Sequence, residues 1–284
     1  MIIHEKISGA FTLIELLVVV AVLALLASIV FSNLGGAREG ARISNALSFQ
    51  SQAHNLLGSD LVGWWNFDEG SGTTAKDISG YDNHGTIVGA KYVDGVPGTG
   101  GTALDLGEGS NYVDVGNSSV FNFQDEFTLS VWIKADSIDE VVGGVITKGQ
   151  EGGWINNEYM LLRSSGDSMR FYVSDGTSSN NINIARIDLA TGNWIHVIGT
   201  ISRITGEMKA YLNGEIYNQI AVTIDEINST TKNLRIGQGH SSSGGTWFCG
   251  LIDDVRIYSR ALTAFEVQTL YAQTKGKYLS EKID

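Results

Sequence analysis

The sequence predicts a long apolar N-terminal α-helix followed by an all-β, two-sheet antiparallel sandwich that ends in one short helix. Three observations predict it. Between Phe11 and Phe31 only Thr12, Glu15 and Ser28 are polar, and a helix of that length, rising about 1.5 Å per residue, matches a hydrocarbon core of about 30 Å. From Leu61 onward, Gly, Asn, Ser and Asp divide the chain into short runs of β-branched and aromatic residues, the pattern of an antiparallel sandwich. Finally, Thr263-Ala-Phe-Glu266 has the spacing of a capping box opening a helix to about Ala272, with Gly276 beyond its end.

Beyond the apolar run, Leu34, Ile43, Ala46, Leu47, Gln50, Ala53 and Leu57 recur at three to four residues, with Arg38, Glu39, Arg42, Asn45 and Gln52 between them. That period extends the helix to residue 58, weakened at Gly35-Gly36 by about 1 kcal/mol per glycine. The runs at Phe127–Ile133, Met169–Val173, Trp194–Ile198, Met208–Leu212 and Leu251–Tyr258 read as strands. Asn213-Gly214 reads as a two-residue type I′ hairpin turn, which needs positive φ at both positions. The organisation is therefore a short N-terminal segment (1–10), an apolar and then amphipathic helix (11–58), a β domain (59–275) and a tail (276–284).

Composition excludes some functions. The formal net charge is -12, with 19 Lys and Arg against 31 Asp and Glu, the wrong sign for tracking phosphates, so nucleic acid is not an expected partner. Cys249 is the single cysteine, so no intrachain disulfide forms. It reads as a small buried hydrophobe.

Glu15 is the anomaly of the apolar segment. A carboxylate in lipid costs on the order of 2.5 to 3.5 kcal/mol even on lenient scales, so it calls for a partner. Gly9-Ala10-Phe11-Thr-Leu-Ile-Glu15-Leu-Leu and the apolar run after it closely resemble the prepilin N-terminus of type IV pilins and secretion pseudopilins. The resemblance implies cleavage by a prepilin peptidase/methyltransferase before Phe11, N-methylation of Phe11, and a Glu at the fifth mature position, which is Glu15. That Glu would neutralise the N-terminal amine of a neighbouring subunit. The family has Gly as the last leader residue; here Ala10 stands at the cut, and cleavage after Gly9 is the alternative. Lys6 against Glu5 on one flank, and Arg38 with Arg42 on the other, do not place the N-terminus inside by the positive-inside count. The orientation in the inner membrane rests on the resemblance alone.

A second resemblance covers about Leu61 to Ala272. Trp64-Trp-Asn-Phe-Asp-Glu-Gly-Ser-Gly72, Asp77-Ile-Ser-Gly80, Asn83-His-Gly85, Phe127–Trp132, Trp194–Val197, Tyr211-Leu-Asn-Gly214 and Gly250–Leu262 look like the laminin-G-like, concanavalin A-like jelly roll. The resemblance implies a two-sheet jelly roll that often binds glycans or proteins and often holds calcium. Strand alternation places Asp253 on one face with Leu251, Val255 and Ile257, pointing inward, where a carboxylate needs an Arg, several N–H groups or a cation. Glu69, Asp77 and Asn83 are the loop residues that could complete a calcium shell with it. Trp154, Tyr159 and Trp247 lie in or beside Gly/Asn/Ser-rich loops and are candidates for stacking on a sugar or other ligand, whereas Trp65, Trp132 and Trp194 read as core. His196, in a strand without a metal-ligand companion, reads as a structural histidine. Jelly-roll glucanases carry their two carboxylates on one strand as E-x-D-x-E, and the sequence contains no such triplet; Asp253 and Asp254 are adjacent and face opposite sides. A binding protein rather than an enzyme is therefore expected, with other pilin or pseudopilin subunits, the inner membrane and a surface glycan or protein as partners.

Overall fold

The computed structural model describes residues 13–14, 16–24, 57–95, 101–107, 109–136, 142–149, 157–164, 168–185, 192–241 and 244–278. The chain divides into two units, Met1–His54 and Asn55–Asp284. In the first, residues 13–14 and 16–24 are helical and expose apolar side chains, Leu13 at 79%. Among the described residues no helix is long and apolar enough to cross a membrane.

The second unit is a two-sheet jelly roll. The described strands of one sheet run in the order β14 (Glu215–Ala221), β13 (Glu207–Leu212), β12 (Ile195–Ser202), β7 (Glu126–Ala135), β18 (Gly250–Tyr258), β5 (Thr102–Asp105), β4 (Lys91–Asp94), and β1 (Leu61–Trp65) pairs with the second half of β18. Those of the other run β11 (Ser179–Ala185), β10 (Ser168–Ser174), β9 (Asn157–Ser164), β8 (Gly143–Gly149), β15 (Leu234–Ile236), β6 (Tyr112–Gly116), β3 (Gly85–Val88), β2 (Thr74–Ala75). A hairpin of β16 (Gln238–Ser241) and β17 (Gly244–Trp247) joins this sheet at β8.

Period-two alternation builds the core. Phe127, Leu129, Val131 and Ile133 of β7 face Tyr159 and Leu161 of β9 and Met169, Phe171 and Val173 of β10 within one buried cluster. Each such side chain contributes about 1.5 to 3 kcal/mol relative to exposure. Gly199 of β12 makes room for this packing, since a Cβ there would stand 2.5 Å from the Phe171 ring. The β13–β14 turn is of the expected type, with φ of 50° at Asn213 and 83° at Gly214.

Helix α1 (Ala264–Tyr278) closes the unit against the outer face of the first sheet. Its capping box forms as read: Thr263 N donates to Glu266 Oε2 at 2.8 Å, and Glu266 N to Thr263 Oγ1 at 3.3 Å. It runs past Ala272 and takes in Gly276, because Leu270, Tyr271 and Thr274 all bury against the sheet, and that packing outweighs the low helix propensity of one glycine.

The start of the unit is clasped at the same place. Leu57 packs with Leu61, Tyr258, Leu262, Val267 and Leu270. Arg260 bonds Asp60 at 2.7 Å and Glu266 at 2.8 Å. The hydrogen bond from Arg260 holds the Asp60 carboxyl below its ordinary value; burial pushes Glu266 up, but Arg260 and Thr263 outweigh it and leave Glu266 lowered. A carboxyl lowered by folding stabilises above its unfolded pKa, and the contribution disappears as pH falls through the folded value. The native unit is therefore expected to hold its full advantage over Arg260→Gln above about pH 5 and to lose it below the usual carboxylate range near pH 4. Urea denaturation of both proteins from pH 7 to 2.5 measures this, and parallel stability profiles would refute it.

Candidate functional site

The processing residues Gly9, Ala10, Phe11 and Glu15, and the loop aromatic Trp154, lie outside the described residues. The other candidates can be placed one by one.

Glu69, Asp77 and Asn83 belong to one ordered rim segment between β1 and β3. Asp77, 4% exposed, accepts from Trp64 N and Ser79 N at 2.9 Å through Oδ1 and from Asn83 N at 3.0 Å through Oδ2. Glu69 accepts from Lys76 N at 2.8 Å and from the Tyr92 hydroxyl at 3.0 Å. Burial and then the Glu69 charge push the Tyr92 phenol up. The main-chain carbonyl of Asn83 accepts from the Trp65 indole at 3.1 Å, and its side-chain amide donates to Val62 O at 3.4 Å. These groups fold the loop.

Asp253 does not point inward with Val255 and Ile257. A bulge between Asp253 and Arg256, with Asp254 at φ 49°, shifts the alternation by one residue. Ile252, Val255 and Ile257 enter the core, and Asp253 turns to the outer face beside its cross-strand neighbour Trp132. It is fully buried there, and its Oδ1 accepts from Asp254 N at 2.6 Å. Among the described residues no group of three or more His, Cys, Asp or Glu is placed to hold a metal ion.

The outer face of the first sheet is a buried polar layer beneath α1. Trp132 stacks on His196 at 4.8 Å and on Tyr271 at 5.7 Å, and its indole donates to Thr274 Oγ1 at 3.0 Å. His196 Nε2 lies 2.9 Å from Ser130 Oγ. Burial, and then the charge of Arg256, push the His196 imidazole down to about 3, so the ring is neutral and structural. Asp254 accepts from the Trp64 indole at 2.6 Å and from Arg256 at 3.0 Å, while the Arg256 guanidinium lies 4.2 Å over the Trp64 ring.

Two aromatic candidates change status. Tyr159 is a strand residue, fully buried, its hydroxyl donating to Phe121 O at 3.2 Å and its ring 4.7 Å from Phe127; β pairing carries it into the core and takes it off the list of ligand contacts. Trp247 lies in β17, half-buried, and its buried indole nitrogen has no hydrogen-bond partner among the described residues. Trp65 and Trp132 are fully buried and Trp194 nearly so, as expected of core residues. Cys249 is only half-buried.

Sequence reasoning passed over Tyr81. It is 52% exposed, on the loop that Asp77 ties down, with Ile78 exposed at 44% nearby. Gly80 at φ 98° and Asp82 at φ 56° turn the backbone on either side of it. The signal was present: a lone aromatic among Gly, Asp and Asn, between two tight turns, has no core to enter.

Comparison with known proteins defines the family. Residues 107–268 match the concanavalin A-like lectin/glucanase superfamily in its Laminin_G_3 form. The chain belongs to this superfamily. Residues 6–31 match the prokaryotic N-terminal methylation motif, so a processing segment and a lectin-like domain share one chain. An adhesion G-protein coupled receptor V1 from Danio rerio is 33% identical over 160 residues, which is 52% of this chain but 2% of the receptor. Among solved structures, the binding domain of Paraclostridial Mosquitocidal Protein 1 aligns with TM-score 0.60 and 16% identity, covering 76% of this chain and 53% of that one. The botulinum neurotoxin serotype G binding domain aligns with TM-score 0.60 and 17% identity, covering 78% and 53%. The chain thus spans about half the length of the solved chains it matches, and at these identities the likeness is one of fold.

Proposed function

We propose that this chain is a pilin-like subunit of a type IV pilus or pseudopilus whose jelly-roll head binds a glycan or protein in surface adhesion. The observation that carries the reading is the presence of the methylation motif at residues 6–31 and the lectin-like domain at 107–268 in one chain. In this reading the precursor is held in the inner membrane by the apolar helix, cut and N-methylated at Phe11, and assembled through Glu15. The head is a binding module, supported by the lack of an E-x-D-x-E triplet. Tyr81, 52% exposed between Gly80 and Asp82, is the proposed contact for the flat face of a sugar, since an aromatic ring held in place loses little entropy on stacking. Two structural neighbours support either class of ligand: the cell entry of botulinum neurotoxin type C depends on two ganglioside molecules, and the binding domain of botulinum neurotoxin DC forms a complex with rat synaptotagmin II.

The test is a broad glycan array probed with the Asn55–Asp284 unit, which contains both sheets, their core and the closing helix. It is run in calcium and again in EDTA, since calcium remains part of the proposal for this family. Binding to a defined sugar is expected, falling at least about tenfold in Tyr81→Ala, a loss of about 1.4 kcal/mol. A folded head that binds no glycan would overturn the lectin reading in favour of a secretion pseudopilin whose head contacts machinery or cargo.

A further inference from the structure

Lys148 is fully buried in β8, opposite Tyr159 and Leu234 of the inter-sheet core. An ammonium taken out of water carries a penalty of several kcal/mol, which only close oxygen partners offset. Its Nζ has four: Glu158 Oε1 at 3.0 Å, Lys232 O at 3.1 Å, Thr230 O at 3.2 Å and Asn117 Oδ1 at 3.3 Å. An ammonium has three N–H groups, so the cage offers more acceptors than the lysine has donors. Glu158 is also fully buried; its Oε1 additionally accepts from Thr230 N, while its Oε2 has no hydrogen-bond partner among the described residues. Burial pushes the Glu158 carboxyl up, and the Lys148 charge opposes that rise.

One carboxylate, one side-chain amide and two main-chain carbonyls, drawn from three separate segments, are the donor chemistry of a hard cation such as calcium. We propose that this rim of the sandwich is a hard-cation site in which the ammonium of Lys148 takes the place of the metal ion. The tethered charge fastens the segment carrying Thr230 and Lys232 to β8 and β9 without any ion from solution. Removal of the ammonium leaves a cage that contracts by about 0.7 Å to reach calcium–oxygen distances, with waters completing the shell.

The experiment compares Lys148→Ala with the native Asn55–Asp284 unit by calorimetric titration and thermal unfolding in calcium chloride, in potassium chloride of equal ionic strength, and in EDTA. Lys148→Ala is expected to melt lower than the native unit and to bind one calcium with Kd of about 10⁻⁴ to 10⁻³ M. Its melting temperature should then rise by about 3 to 6 °C at ten times that concentration. A rise in potassium alone would make the site monovalent and leave the proposal standing. Lys148→Met, which fills the cage without charge, should not respond. A folded Lys148→Ala that no cation stabilises, or an equal response in Lys148→Met, would overturn the proposal. Nitrogen-15 NMR of the native Lys148 ammonium is independent of variant folding: slow proton exchange is expected, and exchange as fast as that of surface lysines would also overturn it.

Discussion

Trp132→Ala is expected to destabilise the jelly-roll unit by about 3 to 5 kcal/mol, a large share of the 5 to 15 kcal/mol typical of a domain. Trp132 lies fully buried in the layer between the first sheet and α1, in a three-ring cluster with His196 at 4.8 Å and Tyr271 at 5.7 Å, which are themselves 6.0 Å apart. Its removal leaves a cavity that strand and helix backbones cannot both close, and it deprives Thr274 of the indole donor. Trp132→Phe keeps a ring in the cluster but loses the hydrogen bond, worth about 0.5 to 1.5 kcal/mol, and part of the buried indole, so its loss should fall between that figure and the alanine value. Urea denaturation gives both values. Hydrogen exchange should show the second half of α1 opening first in Trp132→Ala, because Tyr271 and Thr274 rest on the indole. A loss under about 1 kcal/mol for Trp132→Ala would show that α1 does not depend on this contact.

The second large effect concerns assembly. Glu15→Ala removes a carboxylate that costs on the order of 2.5 to 3.5 kcal/mol in lipid, so membrane insertion of the precursor should be undiminished. What the variant loses, under the proposed assembly role, is the charge that would meet the N-terminal amine of an adjacent subunit. Membrane fractions should therefore contain normal amounts of the variant, and filaments sheared from the cell surface should be depleted of it by at least about tenfold. Normal incorporation would refute the assembly role. Glu15→Asp, with the charge one methylene shorter, should fall between the two.

Local chemistry made several elements legible. The Asn213-Gly214 turn, the Thr263–Glu266 capping box and the alternating strands follow from φ preferences, N–H satisfaction and side-chain period, all set by neighbours a few residues away. Asp253 was misread for the opposite reason. A period of two gives its face only while the strand is regular, and the bulge at Asp254 is stabilised by the Trp64 indole and Arg256, the first of them 190 residues away in sequence. Tyr159 was misread because its loop-like neighbours in sequence lie next to a strand whose pairing with β8 and β10 buries it. That Glu69 and Asp77 accept from main-chain N–H groups of their own loop was not legible, because nothing in the sequence shows which N–H groups a loop will turn toward a carboxylate.

The sequence by itself determined that an apolar, prepilin-like segment precedes a lectin-like β domain, since hydropathy, turn chemistry and motif order are properties of contiguous residues. Only the tertiary structure decided that α1 covers a polar sheet face around Trp132 and His196, that Tyr81 remains outside, and that Lys148 is enclosed by oxygens from Asn117, Glu158, Thr230 and Lys232. Each of these depends on groups brought together from distant parts of the chain, where burial and hydrogen-bond satisfaction across the whole sandwich outweigh any local preference.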